Sequence, residues 1–462
     1  MTAISAGIFK KYDIRGAAEG EKAAVTPAAA RLIGQAAGTY LQRIEGKRLF
    51  VIGRDNRNSS FELAQAAAEG AAASGCDVVD IGLVSTPLVY WHAIQRGDAG
   101  GLMVTGSHLP PEQNGFKLSV GGRNLYGDQI QHLRQFIESG DLAYGAGSLT
   151  QDETAYSRYT HDLAHRLSMA RPLNVVIDAG NGTGGLFAPP LLKAWGHNLL
   201  DGLYIEPDGR YPHHQPDPQQ PRNLQDLCRR VREVGADIGL AFDGDADRVG
   251  GVVEQGNIIV ADRVLALLAR ELLVRQPGAA VVADVLCSQV LFDEVARGGG
   301  QPVMWISGHS LIKAKMAEIG APLGGEMSGH IFMGEDYYGY DDAYFVAGRL
   351  LQLLAANDQP LSALNTSIPT LVSTPEYRPY CPDEAKERVI HGVKTTLAGQ
   401  GELVDVDGIR IRFANGWGLL RASNTEPVLS LRFEGETEAD ANTYRDLFFA
   451  ALARFPEVER IG

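Results

Sequence analysis

The chain has 462 residues, 45% of them hydrophobic, with 42 basic against 56 acidic side chains and a formal charge of −14. That is too much chain for one ordinary core and predicts two to four domains. The acidic balance argues against bulk attraction to nucleic acid or an anionic membrane, so an anionic substrate would need a local basic pocket. The N-terminal stretch MTAISAGIFKKYDIRG lacks the apolar core of a signal peptide, and no later run is long enough to span a bilayer. Cys76, Cys228, Cys287 and Cys381 are scattered without a C-x-x-C pair, which points to a cytoplasmic protein with reduced thiols.

LFVIGRD (49–55) predicts a strand, SSFELAQAAAEGAAASG a helix that begins near Ser59 or Ser60, and DVVDIG the next strand. Such alternation implies parallel strands with crossover helices. The pattern comes round three times. First strands end in VIGRD, in VVIDAGNG (175–182) and in VVADVLC (281–287). Each round closes with a strand running into a polar loop: GGLMVTGSHLP, ADIGLAFDGDADR and APLGGEMSGH. Three related α/β domains with mixed, largely parallel sheets are therefore expected, with ligands at the carboxyl ends of the strands. NTSIPTLVSTPEYRPYCP, with several prolines, reads as a linker. Beyond it, GIRIRFANGWGLLRASNTEPVLSLRFEGET predicts paired strands and EADANTYRDLFFAALARF a closing helix, a C-terminal α+β domain. The expected boundaries are 1–150, 151–255, 256–368 and 369–462.

DGDADR places Asp243, Asp245 and Asp247 at every second residue, a spacing that can turn three carboxylates toward one hard divalent cation. Glu254 even stands twelfth, as in an EF-hand, but Arg248 fills the sixth position where that loop needs glycine, and strands flank it. A solvated acidic turn is the plainer alternative, weakened by the buried IGLAF run before it. RASNTEP offers Arg421, Ser423, Asn424 and Thr425, a forked guanidinium with neutral donors that suits a phosphate, although an Asx turn has the same composition. Glu326 and Ser328 in GEMSGH could grip a sugar diol. Tyr12 and Arg15 in KYDIRG, Lys117 and His309 carry no signal on their own. Ser107, in VTGSHLP, is a poor nucleophile unless activated. No G-x-S-x-G elbow surrounds it. Beside a metal site and phosphate loops, phosphoryl transfer is the expected chemistry, with Ser107 as carrier.

TGSHLP, DGDADR, GEMSGH and RASNTEP follow the order of the α-D-phosphohexomutase superfamily, and YDIRG, GHSLIK, HHQPDP and WGLLRASNT add to the match. Over essentially its full length the chain resembles the phosphomannomutase/phosphoglucomutase branch. The resemblance implies four domains around a central cleft, Ser107 as phosphoserine, and Mg²⁺ held by Asp243, Asp245, Asp247 and Ser107. It implies Arg248 beside the transferring group, Glu326 and Ser328 on sugar hydroxyls, and Arg421, Ser423, Asn424 and Thr425 on the second phosphate. Tyr12, Arg15, His108, His309, Met327 and Gly329 complete the substrate contacts, with Lys117 and His330 as candidates for proton transfer. The activity implied is reversible transfer between C1 and C6 of mannose and glucose phosphates, with hexose 1,6-bisphosphate as intermediate and activator. Hexose phosphates are the implied partners, without nucleic acid or membrane, and the chain a monomer or weak homodimer. A phosphoglucosamine mutase and a sugar-phosphate-binding homologue with impaired turnover are the alternatives. Leu109 and Leu286 replace an asparagine and a lysine of the family, which is expected to weaken contacts with phosphoryl oxygens. Ala246 replaces a glycine, a mild change wherever φ is negative.

Overall fold

The computed structural model describes residues 4–423 and 426–460, so Asn424 and Thr425 lie outside the described residues. The chain forms two compact units, Met1–Val264 with Ser328–Ala363 and Leu265–Met327 with Leu364–Gly462.

The first unit carries two mixed sheets. In one, Leu49–Arg54 lies between Asp77–Leu83 and Gly100–Val104, parallel to both, and Gln113–Val120 pairs antiparallel with the latter. Ile14–Ala17 adds an antiparallel strand beyond Gln113–Val120. In the other, Asn174–Asp178 lies between Asn198–Leu203 and Ile238–Phe242, again parallel, and Val249–Val253 returns antiparallel. Gly100–Val104 and Ile238–Phe242 are buried at every residue, as continuous apolar runs require in covered parallel sheets. The alanine- and glycine-rich helices Pro27–Arg43 and Ser60–Ala73 pack backbone to backbone. A Cβ on Gly34 would stand 2.0 Å from the Ala67 carbonyl oxygen, and one on Gly70 2.0 Å from that of Arg31. Thr26 caps the first of these helices by accepting from the Ala29 amide at 3.2 Å, with Pro27 at the first helical position.

In the second unit, Ala280–Asp284 lies between Gln301–Trp305 and Leu323–Gly325, parallel to both. All three α/β sheets thus share one wiring, with the first strand of the round between the second and the third. The fourth sheet is antiparallel throughout: Val372–Ser373, Leu429–Gly435, Gly416–Ala422, Ile409–Phe413 and Glu402–Val404 in spatial order. Helix Glu438–Leu452 starts at a capping box between Thr437 and Asp440. The proline-rich stretch expected to be a linker is an edge of this sheet. Val372–Ser373 pairs with Glu434 and Gly435, and Tyr377 and Tyr380 bridge to Leu431 and Val428. Prolines are tolerated there because an edge strand needs only half of its backbone donors.

Arg410 ties the third and fourth sheets together. It is buried, donates to the carbonyls of Val285 at 2.5 Å and Cys287 at 2.8 Å, and lies 3.7 Å above the Trp417 ring. Val285, Trp417 and Leu419 form a small core beneath it, with Leu286 packed on its side. No described helix is long and apolar enough to cross a membrane.

Candidate active site

VTGSHLP turns where the buried strand Gly100–Val104 ends. Gly106 is required there, because a Cβ would meet the Arg57 guanidinium at 2.5 Å. Ser107 takes a left-handed backbone, φ 49°, with its amide donating to Thr105 Oγ1 at 2.8 Å. The side chain is thereby turned inward. Its hydroxyl donates to Asp243 Oδ2 at 2.6 Å and lies 3.1 Å from His108 Nδ1. Burial, with Arg248, Arg15 and Lys117 nearby, drives the His108 imidazole well below its usual range, so it is neutral. Leu109 contributes backbone, its amide donating to the Gly106 carbonyl at 2.9 Å, and its side chain is half-buried.

DGDADR occupies the turn between Ile238–Phe242 and Val249–Val253, the end of a sheet rather than a helix–loop–helix, which bears out the rejection of an EF-hand. Gly244 lets the two loops touch, since a Cβ there would stand 2.4 Å from the Ser107 carbonyl oxygen. Ala246 sits at φ 53° and is fully buried, so the expectation of a negative φ fails. The loop turns through the left-handed region at this residue, where the methyl is strained. Asp243, Asp245 and Asp247 are buried, each offering one carboxylate oxygen within 4.8 Å of the others. Thr86 Oγ1 donates to Asp245 Oδ2 at 2.5 Å, and Lys117 Nζ holds Oδ2 of both Asp245, at 2.7 Å, and Asp247. The Oδ1 atoms of Asp245 and Asp247 are buried without a hydrogen-bond partner. Burial and the neighbouring Asp247 and Asp245 push the Asp243 carboxyl well up. Burial works against Asp247 as well, but Lys117 and His330 hold it well down. Crowded, dry carboxylates with spare oxygens are the donor set a hard divalent cation wants, so the residues fit a divalent metal. Burial opposes the Lys117 charge, yet Asp245 and Asp247 raise its pKa well above the ordinary lysine value, keeping it an ammonium.

Arg248 donates from Nε to His330 Nε2 at 3.3 Å, and Ser328 Oγ lies 3.0 Å from His330 Nδ1. His330 also approaches Asp247 Oδ1 at 3.5 Å and Asp341 Oδ2 at 4.0 Å. Gly329 turns at φ 92° between them. Arg15 stands on the strand paired with Gln113–Val120, beside the Lys117 strand, and holds Asp13 at 3.1 Å. Tyr12 lies in the turn before that strand with the Lys11 ammonium over its ring. The first unit thus gathers Ser107, His108, Lys117, the three aspartates, Arg248 and His330.

In the second unit, Glu326 Oε1 accepts from the Gly308 amide at 2.6 Å, immediately before His309 opens the helix His309–Ile319. The Met327 amide donates to Asp284 Oδ1 at 3.2 Å. Asp284 also accepts from Ser307 Oγ at 2.9 Å and the Cys287 thiol at 3.0 Å. Burial beside Glu326 pushes its carboxyl up to about 6. Arg421 points its Nε at Asp407 Oδ2, 2.8 Å away, and Asp407 also accepts from the Ser307 amide at 3.2 Å. The Ser423 amide donates to the Val428 carbonyl at 3.0 Å.

Several residues here were not singled out in the sequence. Asp55 and Asp284 have a signal, for each closes the first strand of its round (VIGRD, VVADV) and each accepts an amide of the functional loop that follows, Gly106 and Met327. Asp407, Thr86 and Arg57 have none, because their partners are far away in sequence. Leu286 is half-buried against the Val285–Trp417–Leu419 core, and its carbonyl accepts from Arg432 at 2.8 Å.

Four family models match the chain in order: phosphoglucomutase/phosphomannomutase alpha/beta/alpha domain I over residues 6–143, domain II over 157–256, domain III over 261–371, and the C-terminal domain over 380–451. A phosphomannomutase/phosphoglucomutase of Pseudomonas aeruginosa is 43% identical over 446 residues, 96% of this chain and 95% of that protein. A phosphoglucomutase of Neisseria gonorrhoeae is 40% identical over 463 residues, 99% of both. The crystal structure of a phosphoglucomutase/phosphomannomutase family protein from Burkholderia thailandensis superimposes with a TM-score of 0.92 at 41% identity, covering 99% of each chain.

Proposed function

The chain belongs to the phosphoglucomutase/phosphomannomutase family, and from that premise we propose that it moves a phosphoryl group reversibly between C1 and C6 of mannose and glucose phosphates, with Ser107 as the carrier. The 2.6 Å hydrogen bond from Ser107 to Asp243, within the aspartate cluster, carries this reading. A serine held against three carboxylates is poorly placed for acyl chemistry and well placed for a phosphoryl group shared with a cation.

Mg²⁺ held by Asp243, Asp245, Asp247 and an oxygen of phosphorylated Ser107 would supply charge neutralisation at the transferring group. The C6 hydroxyl of a hexose 1-phosphate attacks the phosphorus on Ser107. The P–O6 bond forms, the P–Oγ bond breaks, the hydroxyl proton leaves to a base, for which His330 is the candidate, and the departing Ser107 Oγ takes a proton, for which the Lys117 ammonium is the candidate donor. Arg248, whose Nε donates to His330 Nε2 at 3.3 Å, is assigned to the transferring phosphoryl group. The resulting hexose 1,6-bisphosphate turns end for end. Its C1 phosphoryl group passes to Ser107, the P–Oγ bond forms and the P–O1 bond breaks, O1 takes the proton held by His330, and the Ser107 Oγ proton returns to Lys117. Hexose 6-phosphate departs. A bisphosphate that escapes before the second step would serve as activator for unphosphorylated protein.

Arg421, Ser423, Asn424 and Thr425 are assigned to the phosphate that is not reacting. Nε of Arg421 is held by Asp407, an arrangement that suits presentation of the outer guanidinium edge to a phosphate. Glu326, Met327, Ser328 and Gly329 are assigned to sugar hydroxyls, and Tyr12, Arg15, His108 and His309 to the remaining contacts. Each of the four segments 1–150, 151–255, 256–368 and 369–462 then contributes one functional loop. A monomer or weak homodimer in the cytoplasm is proposed, and the charge of −14 argues against nucleic acid or an anionic membrane as partner. Side-by-side assays on mannose 1-phosphate, glucose 1-phosphate and glucosamine 1-phosphate test the assignment. Turnover of the first two is expected, and turnover confined to glucosamine 1-phosphate contradicts it.

A further inference from the structure

Arg57 lies directly behind the serine loop, 2% exposed. Its Nη2 donates to the carbonyl oxygens of Ser107 at 2.8 Å and Leu109 at 2.6 Å, and its Nη1 to those of Pro110 at 2.6 Å and Gln113 at 2.9 Å. One rigid planar group therefore fixes the loop from the reacting serine to the start of the next strand. Asp55 backs the guanidinium at 3.3 Å and accepts from the Gly106 amide at 3.2 Å, so carbonyls and an amide of the same turn are held from one pair. The Tyr211 ring covers the guanidinium, with its centroid 5.0 Å away. The missing Cβ of Gly106 is what leaves room for it.

A buried charge is costly to keep, and an apolar group of the same size is often no less stabilising. What an apolar group cannot do is bind four carbonyls. A left-handed serine persists only where its surroundings over-determine it, and here the surroundings are this guanidinium on one side and Asp243 on the other. The clamp reads main chain alone. It uses the Leu109 carbonyl and is indifferent to the Leu109 side chain, so the loop can keep its shape with leucine at that position.

We infer that Arg57 is a positioning residue for phosphoryl transfer, setting the place of Ser107 Oγ through the loop backbone without touching substrate. The inference rests on Ser107 being the carrier. A misplacement of about 1 Å in a reacting group costs roughly a hundredfold in rate, whereas, His108 apart, the contacts assigned to the sugar and the second phosphate lie on other loops. Loss of the clamp should therefore fall on kcat and spare KM.

The test uses the full chain and its Arg57→Lys and Arg57→Met variants, each incubated with glucose 1,6-bisphosphate and then mapped by peptide mass. Wild-type protein without a phosphoryl group on Ser107 overturns the carrier reading, and this inference with it. With the carrier established, kcat per phosphorylated Ser107 is expected to fall about 10- to 100-fold, with KM for glucose 1-phosphate within about twofold of wild type. Lysine, which keeps the charge and reaches some of the carbonyls, should be the milder change. Wild-type kcat per phosphorylated serine in the variants, with only the melting temperature lowered, shows Arg57 to be structural and overturns the inference. A rise in KM with kcat unchanged overturns it too. Should Arg57→Met fail to fold, Arg57→Lys decides by the same criteria.

Discussion

Ala246 holds a fully buried methyl at φ 53° in the aspartate loop. Left-handed backbone costs an alanine roughly 1–2 kcal/mol. Glycine would remove that strain but would forfeit about 0.8 kcal/mol of burial and add roughly 0.4–1 kcal/mol of chain entropy to the unfolded state. The terms nearly cancel. Ala246→Gly is therefore expected to change the free energy of urea unfolding by less than about 0.5 kcal/mol. Ala246→Val puts a branched side chain into the same backbone and the same closed space, and should cost more than about 2 kcal/mol. A large gain from glycine, or tolerance of valine, would contradict the conformation found for this residue. Leu286 is a case in which the structure redirects a sequence expectation. Family comparison casts it as a missing phosphate cation, but its side chain packs on Val285, Trp417 and Leu419, with Arg410 on the flanking carbonyls and Arg432 on its own. Leu286→Lys brings a third positive charge to that seam. Stability should fall by about 1 kcal/mol and kcat/KM for hexose 1-phosphates should not rise. A rise would restore the original expectation.

At the scale of elements, the candidate residues of each unit stand on loops at the ends of parallel strands, and in two of these loops a carboxylate that closes a neighbouring strand braces the turn. Asp55 accepts the Gly106 amide and Asp284 the Met327 amide, so the serine loop and the GEMSGH loop hang from equivalent positions in two copies of one wiring. The aspartate loop has a different requirement. Its three carboxylates are buried, and the Oδ1 atoms of Asp245 and Asp247 have no hydrogen-bond partner. Such a cluster is stabilised by a divalent cation, which also lowers the carboxyl pKa that crowding raises. Exhaustive chelation should therefore abolish turnover, and Mg²⁺ should both restore it and raise the melting temperature. Asp245→Asn should need a higher Mg²⁺ concentration for the same restoration. Turnover that survives chelation would separate the aspartate loop from catalysis.

For the whole molecule, strands and loops were legible in the sequence where hydrophobic runs broke abruptly into polar turns. IGLAF before DGDADR and GGLMV before TGSH fall on strands buried at every residue. The threefold repeat was legible as well, because VIGRD, VVIDAGNG and VVADVLC each open a round of strand and helix that closes with a strand running into a polar loop. The edge strand Val372–Ser373 was hidden by its prolines, which signal a linker whether or not a backbone pairs beside them. Arg57 was hidden because its acceptors are main-chain carbonyls some 50 residues away, and carbonyls leave no trace in side-chain patterns. The left-handed Ala246 was hidden because alanine gives no hint of positive φ. The central claim is that Ser107 carries the phosphoryl group between the two ends of the sugar. Incubation with radiolabelled glucose 1,6-bisphosphate, peptide mapping, and then a chase with unlabelled glucose 1-phosphate test it most directly. Label is expected on Ser107 alone, discharged into sugar bisphosphate during the chase and absent from Ser107→Ala. Mutase turnover that proceeds with Ser107 unlabelled, or with the label on another residue, would contradict it.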